Sequence, residues 1–409
     1  MKIVHLLGSF RLPRHPDRDG YSGIARATLE LARTQVLQGQ AVTVVSVGPN
    51  AWQEEWQGVR LKQLRHQPWA RLPGLDLSVH LPYLLLTYRE RFDVIHGQMY
   101  PSLRWLRGRV RVTHFHSDPA DLSLAVVKRA VASSHAQIGV SGFVTDGLRR
   151  HLPGHASMQT IPNGVDLAQF SPVRWAHERI RLRAEWGCRP EDVVFLYAGA
   201  VVPEKGLLPL GRAYARLRAR LDHVHLVVAG DSGLWDLTLS PHDSGDHDAQ
   251  LQAALEGTPG VQRLGRVQAQ GMAAVYAACD VLVVPSLVSE TFSLSGVEGM
   301  ASGLPLVVSD SGALPDLIRQ DTQPDVTGLL VPPGDEAALE AALHRMSSDA
   351  PFRRAAATHA QKRAAGLSWA WAAEQVQALY LQLASRPPVP QPPAPAPSPP
   401  SPGTRSIGD

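Results

Sequence analysis

The feature that most constrains this chain is an alternation. Short apolar runs rich in β-branched residues, at 2–7, 41–47, 92–96, 110–114 and 137–140, are separated by longer stretches with helical spacing. Residues 24–38 show the second pattern: Leu29, Ala32 and Val36 recur every three or four positions, and Gly39 follows as a stop. The alternation restarts at 193–197 and continues through 225–229, 261–264, 281–285, 306–309 and 328–331. Runs without polar alternation suit strands covered on both faces, which are parallel strands flanked by helices. Repeated strand–helix units with right-handed crossovers wind into a sheet with helices on both sides. Two series therefore predict an α/β chain of two doubly wound, Rossmann-like domains.

The length of 409 residues leaves room for two ordinary domains. The boundary falls near 161–172, where Asn163-Gly164 is a turn signal and an arginine-rich polar stretch, 174–185, follows. A last helix is expected from Ser368, a good N-cap, with Val376, Leu379, Tyr380 and Leu383 forming one apolar stripe. The resulting division is residues 1–170 plus a C-terminal helix at about 369–385, against residues 171–368. Residues 234–251, polar with Gly, Ser, Asp and His, read as a long loop after a strand. Residues 386–409 hold 10 of the 33 prolines and read as a disordered or polyproline-like tail outside the fold.

With 44% hydrophobic and 19% charged residues, the composition is that of a globular protein. No apolar stretch approaches the roughly 18 residues of a spanning helix. The longest, 79–88, is interrupted by Pro82. The opening MKIVHLLGSFRLPR reads as a first buried strand rather than a signal peptide. Cys188 and Cys279 give neither a disulfide framework nor metal-ligand spacing, so a reducing cytoplasm is the expected compartment. No metal and no other cofactor is expected.

Charge is uneven. Residues 1–172 carry 20 Lys+Arg against 12 Asp+Glu, whereas residues 173–409 carry 20 against 25. A basic first half suits an anionic acceptor or peripheral contact with the inner face of a membrane; evenly weighted against this is a merely solvated charge distribution. Two basic runs contain tryptophan: 60–75, with Arg65, His66, Trp69 and Arg71, and 103–111, with Arg104, Trp105, Arg107, Arg109 and Arg111. That mixture can sit on an anionic bilayer or hold a sugar phosphate, and a solvated face is again the plain alternative. Nothing points to nucleic acid.

The strongest chemical signal is SETFSLSGVEGMASGLPLVV at 289–308. It follows a buried strand and enters a helix that begins near Ser293, Leu294 and Ser295. A helix N-terminus offers unpaired N–H groups and a positive dipole end, which suits a pyrophosphate. Glu298, within the helix, could accept bonds from a ribose diol, and Glu290, in the loop, could face a transferred sugar.

This segment resembles the E-x-F-G-x-x-x-x-E-A-M-A-x-G-x-P-V-V pattern of the family-four retaining glycosyltransferases of the GT-B fold. Here Ser293 replaces a Gly and Gly299 an Ala. IPNGVDLAQFSP (161–172), YAGAVVPEKGL (197–207), AACDVLVVPS (277–286), SDSGALPDLI (309–318) and VTGLLVPPGD (326–335) resemble further segments of the family.

The resemblance implies an acceptor-binding first domain and a donor-binding second domain. It implies transfer of a sugar from a nucleotide diphosphate, with retention, to a glycan or lipid-linked acceptor in polysaccharide or glycolipid biosynthesis. Lys205 matches the Lys that neutralises the diphosphate, a flexible cation that can follow charge onto a leaving group. His116 in VTHFHSD matches a His near the donor sugar, with His114 as runner-up. Ser22-Gly23 matches a Gly-Gly pair opening the first helix, where small residues let phosphates approach. Asp231 resembles a Gly-Asp pair near the nucleotide, although a turn aspartate explains it equally well. The departure is Gly199-Ala200, where the family has Gly-Arg; Arg266 is a candidate replacement for that cation. A nucleotide-sugar epimerase of the same shape, and a protein that binds nucleotide sugars without turnover, are the competing readings.

Overall fold

The computed structural model describes residues 1–385 except Ser9, 20–21, Pro68, Ala70, 73–74, Pro101, 153–156, 232–243 and 319–325. The tail at 386–409, expected to be disordered, lies outside the described residues.

The first half begins with β1 (Lys2–Leu6), α1 (Gly23–Leu37), β2 (Ala41–Gly48), β3 (Trp52–Trp56) and β4 (Val59–Arg65). It continues with a small pair, β5 (Arg71–Leu72) and β6 (Leu75–Asp76), then α2 (His80–Arg89), β7 (Phe92–Gln98) and β8 (Gly108–Phe115). It ends with α3 (Leu124–Ser133), β9 (Ala136–Gly139), α4 (Gly142–His151) and β10 (Met158–Thr160). The second half runs α5 (Ala176–Glu185), β11 (Val193–Ala198), α6 (Leu207–Arg218), β12 (Val224–Ala229), α7 (Ser244–Leu255), β13 (Val261–Gly265) and α8 (Ala269–Ala278). Next come β14 (Val281–Val284), α9 (Leu294–Ala301), β15 (Leu306–Ser309), α10 (Leu314–Ile318) and β16 (Gly328–Val331). Three helices close the chain: α11 (Glu336–Ser348), α12 (Ala350–Ala365) and α13 (Trp369–Ser385).

Eight strands form the first sheet in the order β10-β9-β8-β7-β1-β2-β4-β3; six form the second as β13-β12-β11-β14-β15-β16. Pairing is parallel throughout these two sheets except between β3 and β4. That antiparallel edge departs from the all-parallel expectation. Its cause is local: Gln57 (φ 48°) and Gly58 (φ 80°) make a two-residue turn whose left-handed backbone matches hairpin twist. In each sheet the strand order reverses beside the first strand of the series, between β1 and β7 and between β11 and β14. Ligands of open parallel sheets sit at the carboxyl ends of strands at such reversals.

Both strand faces are buried. On β11, Val194 and Leu196 enter one cluster and Val193, Phe195 and Tyr197 the other. This period of two, apolar on each side, explains why these segments read as unbroken apolar runs. The last helix completes the first half's core. Trp369, Ala372, Ala373, Val376, Leu379, Tyr380 and Leu383 join Ile3, Leu29, Val42 and Val94 in one cluster. At ~1.5–3 kcal/mol for each large side chain, this fixes α13 to the first half although it follows the second in sequence. Ser368 caps it, accepting from the Trp371 amide at 3.1 Å.

The chain crosses between halves twice, and the crossings pair. Val165 N donates to Leu367 O (2.8 Å), and Val165 and Ser368 form an isolated parallel bridge. A Cβ on Gly164 would lie 2.3 Å from Trp369 N, so the turn residue read from sequence is also what lets the crossings touch. One expectation needs correcting: 234–251 is not all loop, because α7 starts at Ser244 and carries buried Leu251 into the second core; residues 232–243 lie outside the description. No helix among the described residues is long and apolar enough to cross a membrane.

Candidate active site

The facing carboxyl ends of the two sheets enclose a cavity of about 610 Å³ lined from both halves. Its second-half wall starts from the loop after β11. Pro203–Lys205 form a single 3-10 turn, and Gly206 ends it at φ 70°. A Cβ there would sit 1.9 Å from Pro285 O, so Gly206 alone lets this loop lie against the strand end that leads to Glu290. Lys205 Nζ donates to Glu290 Oε1 at 2.6 Å, and Ser286 Oγ donates to the same oxygen at 2.7 Å. The backbone of Glu290 is held in turn by Ala313, whose N donates to Glu290 O at 2.7 Å.

Ser293 caps α9, its hydroxyl accepting from Gly296 N at 3.1 Å. The amides of Leu294 and Ser295 have no hydrogen-bond partner among the described residues, and both residues line the cavity. An unpaired first turn of this kind attracts an anion. One turn later Glu298 is buried, 5% exposed. Its Oε2 accepts from Tyr276 OH (3.1 Å), and its Oε1 is ion-paired with Arg26 of α1 in the opposite half. Burial pushes its pKa up, with Glu30 adding to that; Arg26 and the Tyr276 bond oppose the rise.

The first-half wall opens with Ser22, the N-cap of α1, and Gly23, on which a Cβ would meet nothing within 4 Å. That open space adjoins the cavity. His116 follows β8. Its Nε2 donates to Gln98 Oε1 (2.7 Å), which leaves Nδ1 as an acceptor, and its carbonyl accepts from Thr291 Oγ1 across the cleft at 2.6 Å. Burial lowers its pKa to about 3, so the ring is neutral at ordinary pH. His116 is the end of a row. Ring centroids step from His5 to His96 (4.8 Å), to His114 (5.2 Å) and to His116 (4.4 Å). His114 does not line the cavity. It lies beneath His116, both ring nitrogens without a partner among the described residues.

The remaining sequence candidates divide. Exposed Arg266 lines the rim at the end of β13 with Val267 and Met272. Ala200 lines the wall too, but Tyr197 OH donates to its carbonyl (2.6 Å), and no cation occupies that position. Asp231 corrects the expectation that it faces the nucleotide. Gly230 lines the cavity and Asp231 does not: its carbonyl accepts from Val201 N (3.1 Å) and its Oδ1 is buried. The residue shapes the loop. Sequence reasoning missed Arg26, Tyr276, Thr291 and Gln98. Arg26 was findable, since it lies four positions after the N-cap Ser22 and so projects beside it. Tyr276 lies in an apolar helix with no polar mark. No three His, Cys, Asp or Glu side chains among the described residues group as metal ligands.

Among the groups lining the cavity are Lys205, the open amides of Leu294 and Ser295, the carboxylates of Glu290 and Glu298 and the neutral imidazole of His116, which suit a polyol joined to a diphosphate. Comparison with known proteins agrees. The profile of glycosyl transferases group 1 matches residues 192–349, and that of glycosyltransferase family 4 matches 21–169. D-inositol 3-phosphate glycosyltransferase of Nocardia farcinica is 29% identical over 362 residues, covering 80% of this chain and 76% of that protein. Its counterpart from Stackebrandtia nassauensis is 30% identical over 315 residues, covering 71% and 68%. Anabaena HepE, solved in complex with UDP-glucose, superposes with a TM-score of 0.72 at 19% identity, covering 93% of this chain and all of that one, and shows the shared fold. These relatives set aside the epimerase and the binding-only readings: the chain belongs to the group 1, family-four glycosyltransferases and is an enzyme of GT-B fold that uses nucleotide-sugar donors.

Proposed function

We propose that this enzyme transfers the sugar with retention of anomeric configuration to an anionic, lipid-linked or phosphorylated polyol acceptor. The second half takes the donor. Glu298 receives the ribose hydroxyls, and the α9 amides at Leu294 and Ser295 with Lys205 hold the diphosphate and stabilise it as it leaves. Arg266 lies at the rim where the nucleobase end would emerge. Glu290 orients the sugar hydroxyls, and neutral His116 accepts a hydroxyl proton bond from the facing wall. Ser22 and Gly23 give the phosphates room. No metal has a role here: the developing negative charge meets a lysine and backbone dipoles. Closure of the halves excludes water and suppresses hydrolysis.

The observation that carries this reading is the Lys205–Glu290 contact at 2.6 Å inside the cavity. In this reading Lys205 meets the diphosphate and Glu290 beside it meets the sugar hydroxyls, so Glu290 serves as an orienting group rather than a covalent nucleophile, and retention comes from the acceptor entering on the face the diphosphate leaves. NMR of the anomeric proton during turnover tests this. A product inverted relative to the donor would refute it.

For the acceptor, the support is the basic first half and the relatives named for inositol phosphate. Transfer should favour inositol phosphate or an anionic glycolipid over neutral glycans of the same sugar; equal rates would count against it. Peripheral membrane contact has its own support. Leu85, Tyr88 and Trp105 are 45%, 51% and 67% exposed, and Arg107 stacks on Tyr88 at 3.7 Å. Trp105→Ala should release the enzyme from vesicles of anionic lipid; unchanged sedimentation with them would remove this element.

A further inference from the structure

We propose that Arg26 is a positioning residue for the donor: reaching across the cleft from α1, it keeps Glu298 ionised and oriented, so that the second half's ribose site is complete only when the first half closes on it. This rests on the assignment of Glu298 to the donor made above.

Glu298 is a buried carboxylate on a buried helix face. An ionised carboxylate away from water must be paired or it takes up a proton. Its own half supplies one neutral partner, Tyr276 OH. The cation in contact with it comes from the other half, 272 residues away in sequence. The groups facing this carboxylate are Arg26 and Glu30 from α1 and Tyr276 from α8, with Asp166 of the interdomain crossing beside them. Glu30 and Asp166 are themselves held by Arg33, each at 3.0 Å. Those two acids therefore have a cation of their own, while Glu298 is met by Arg26.

Two consequences follow. If the halves separate, Glu298 keeps only a phenol, its proton affinity rises, and a protonated acid is a poor acceptor for two ribose hydroxyls. Donor affinity is then tied to closure. The tie also reaches the hinge, because Asp166 belongs to the first crossing and shares Arg33 with the helix that carries Arg26. Closure and donor recognition share one electrostatic network.

The test is donor affinity against pH. UDP-, GDP- and ADP-glucose are titrated into the full-length wild type from pH 5.5 to 8, and the tightest is used for Arg26→Gln, Arg26→Lys, Glu298→Gln and the Arg26→Gln/Glu298→Gln pair. Thermal melts check that each variant is folded. The wild type should bind with little pH dependence above pH 6. Arg26→Gln should bind roughly tenfold or more weakly at pH 8, the scale of a lost charged hydrogen bond. It should weaken further as pH falls, because the unpaired carboxylate protonates at a higher pH. Arg26→Lys should restore most of the pH 8 affinity. Glu298→Gln should be weak and independent of pH, and the double variant no weaker than Glu298→Gln alone. Arg26→Gln with the wild-type profile, or additive losses in the pair, overturns the inference while leaving the donor site intact. Glu298→Gln with wild-type affinity overturns the donor assignment itself.

Discussion

The two halves share an architecture and differ in how they build their side of the cleft. The second half uses short connections: one 3-10 turn, a glycine at φ 70° and a capped helix start, each fixed by backbone contacts. The first half uses the long connection between β1 and α1 and a row of buried histidines ending at His116. On the proposed reading the difference follows from what each wall meets: the diphosphate, the same in every turnover, meets backbone amides and Lys205 and the ribose meets Glu298, whereas an acceptor varies and the side chains of a long connection can vary with it. The largest expected effects therefore lie on the second wall. Lys205→Ala and Glu298→Ala should each lower kcat/KM by about 10²–10³-fold, the loss seen when one preorganised charge-stabilising group is removed. His116→Ala should cost less, up to roughly tenfold, the scale of one lost hydrogen bond between neutral groups. A His116 variant more crippled than Lys205→Ala would reverse the comparison.

The same contrast decides what could be read in the sequence. Most strand runs of both sheets were legible because burial on both faces removes polar alternation; the short edge strand β10 was not, since two of its three residues, Gln159 and Thr160, are exposed. The hairpin of β3 and β4 was not, because WQEEW alternates and its turn, Gln57-Gly58, lacks the usual Asn or Asp. On the second wall, Glu290, Ser293–Ser295, Glu298 and Lys205 were legible because local order sets their geometry: strand, loop, cap, helix. Arg26 and Tyr276 were not, because their role arises when residues 272 and 22 positions from Glu298 converge on it. Asp231 misled for the opposite reason: a Gly-Asp pair after a strand looks alike whether its carboxylate faces a ligand or its carbonyl ties a turn.

Glycines sharpen the comparison. Gly206→Ala puts a methyl 1.9 Å from Pro285 O at a left-handed backbone. It should cost about 3 kcal/mol, overpacking and strain together, and lower the denaturation midpoint of the second half. Gly23→Ala on the first wall meets open space at an ordinary helical φ. It should leave stability within about 0.5 kcal/mol or raise it while weakening donor binding. Equal stabilities for the two variants would mean that the β11 loop is free to move away from Pro285.

The histidine row separates the halves by pH. Burial lowers the pKa of His5 to about 4 and of His116 to about 3, and holds His96 and His114 well below the usual value. The neighbouring histidines push His96 and His114 further down. Each folded pKa lies below its unfolded value, so the unfolded chain binds more protons as pH falls. The stabilisation is complete above pH 6.5 and is lost progressively as pH drops toward 4. At pH 5 each such histidine costs on the order of 2 kcal/mol by linkage. Urea midpoints should fall between pH 7 and 5, and His114→Phe, which removes one proton site at similar volume, should flatten that fall. A wild type equally stable at both pH values would show that the row is hydrated.

The smallest effect compares two charge clusters. In the first half, Glu90 is met by Lys2, Lys62 and Arg60, and although burial raises its pKa these cations bring it below the usual value. In the second, Glu340 of α11 is met by Arg216 of α6 and by Arg220 just beyond its end. Both are part-buried surface networks of the kind that contributes about 1 kcal/mol or less. Their surroundings differ in sign. Glu90→Gln leaves three cations together in a half that is already basic, whereas Glu340→Gln removes an anion from a half with 25 acids against 20 bases. Glu90→Gln should therefore cost about 1 kcal/mol and Glu340→Gln less than about half of that, by denaturant titration at low salt. Because the difference is electrostatic and solvent-exposed, it should shrink in 1 M salt, where the screening length falls to about 3 Å. A gap unchanged by salt would assign Glu90 a packing role through its contacts with β4, and the charge contrast between the halves would then have no bearing on their stability.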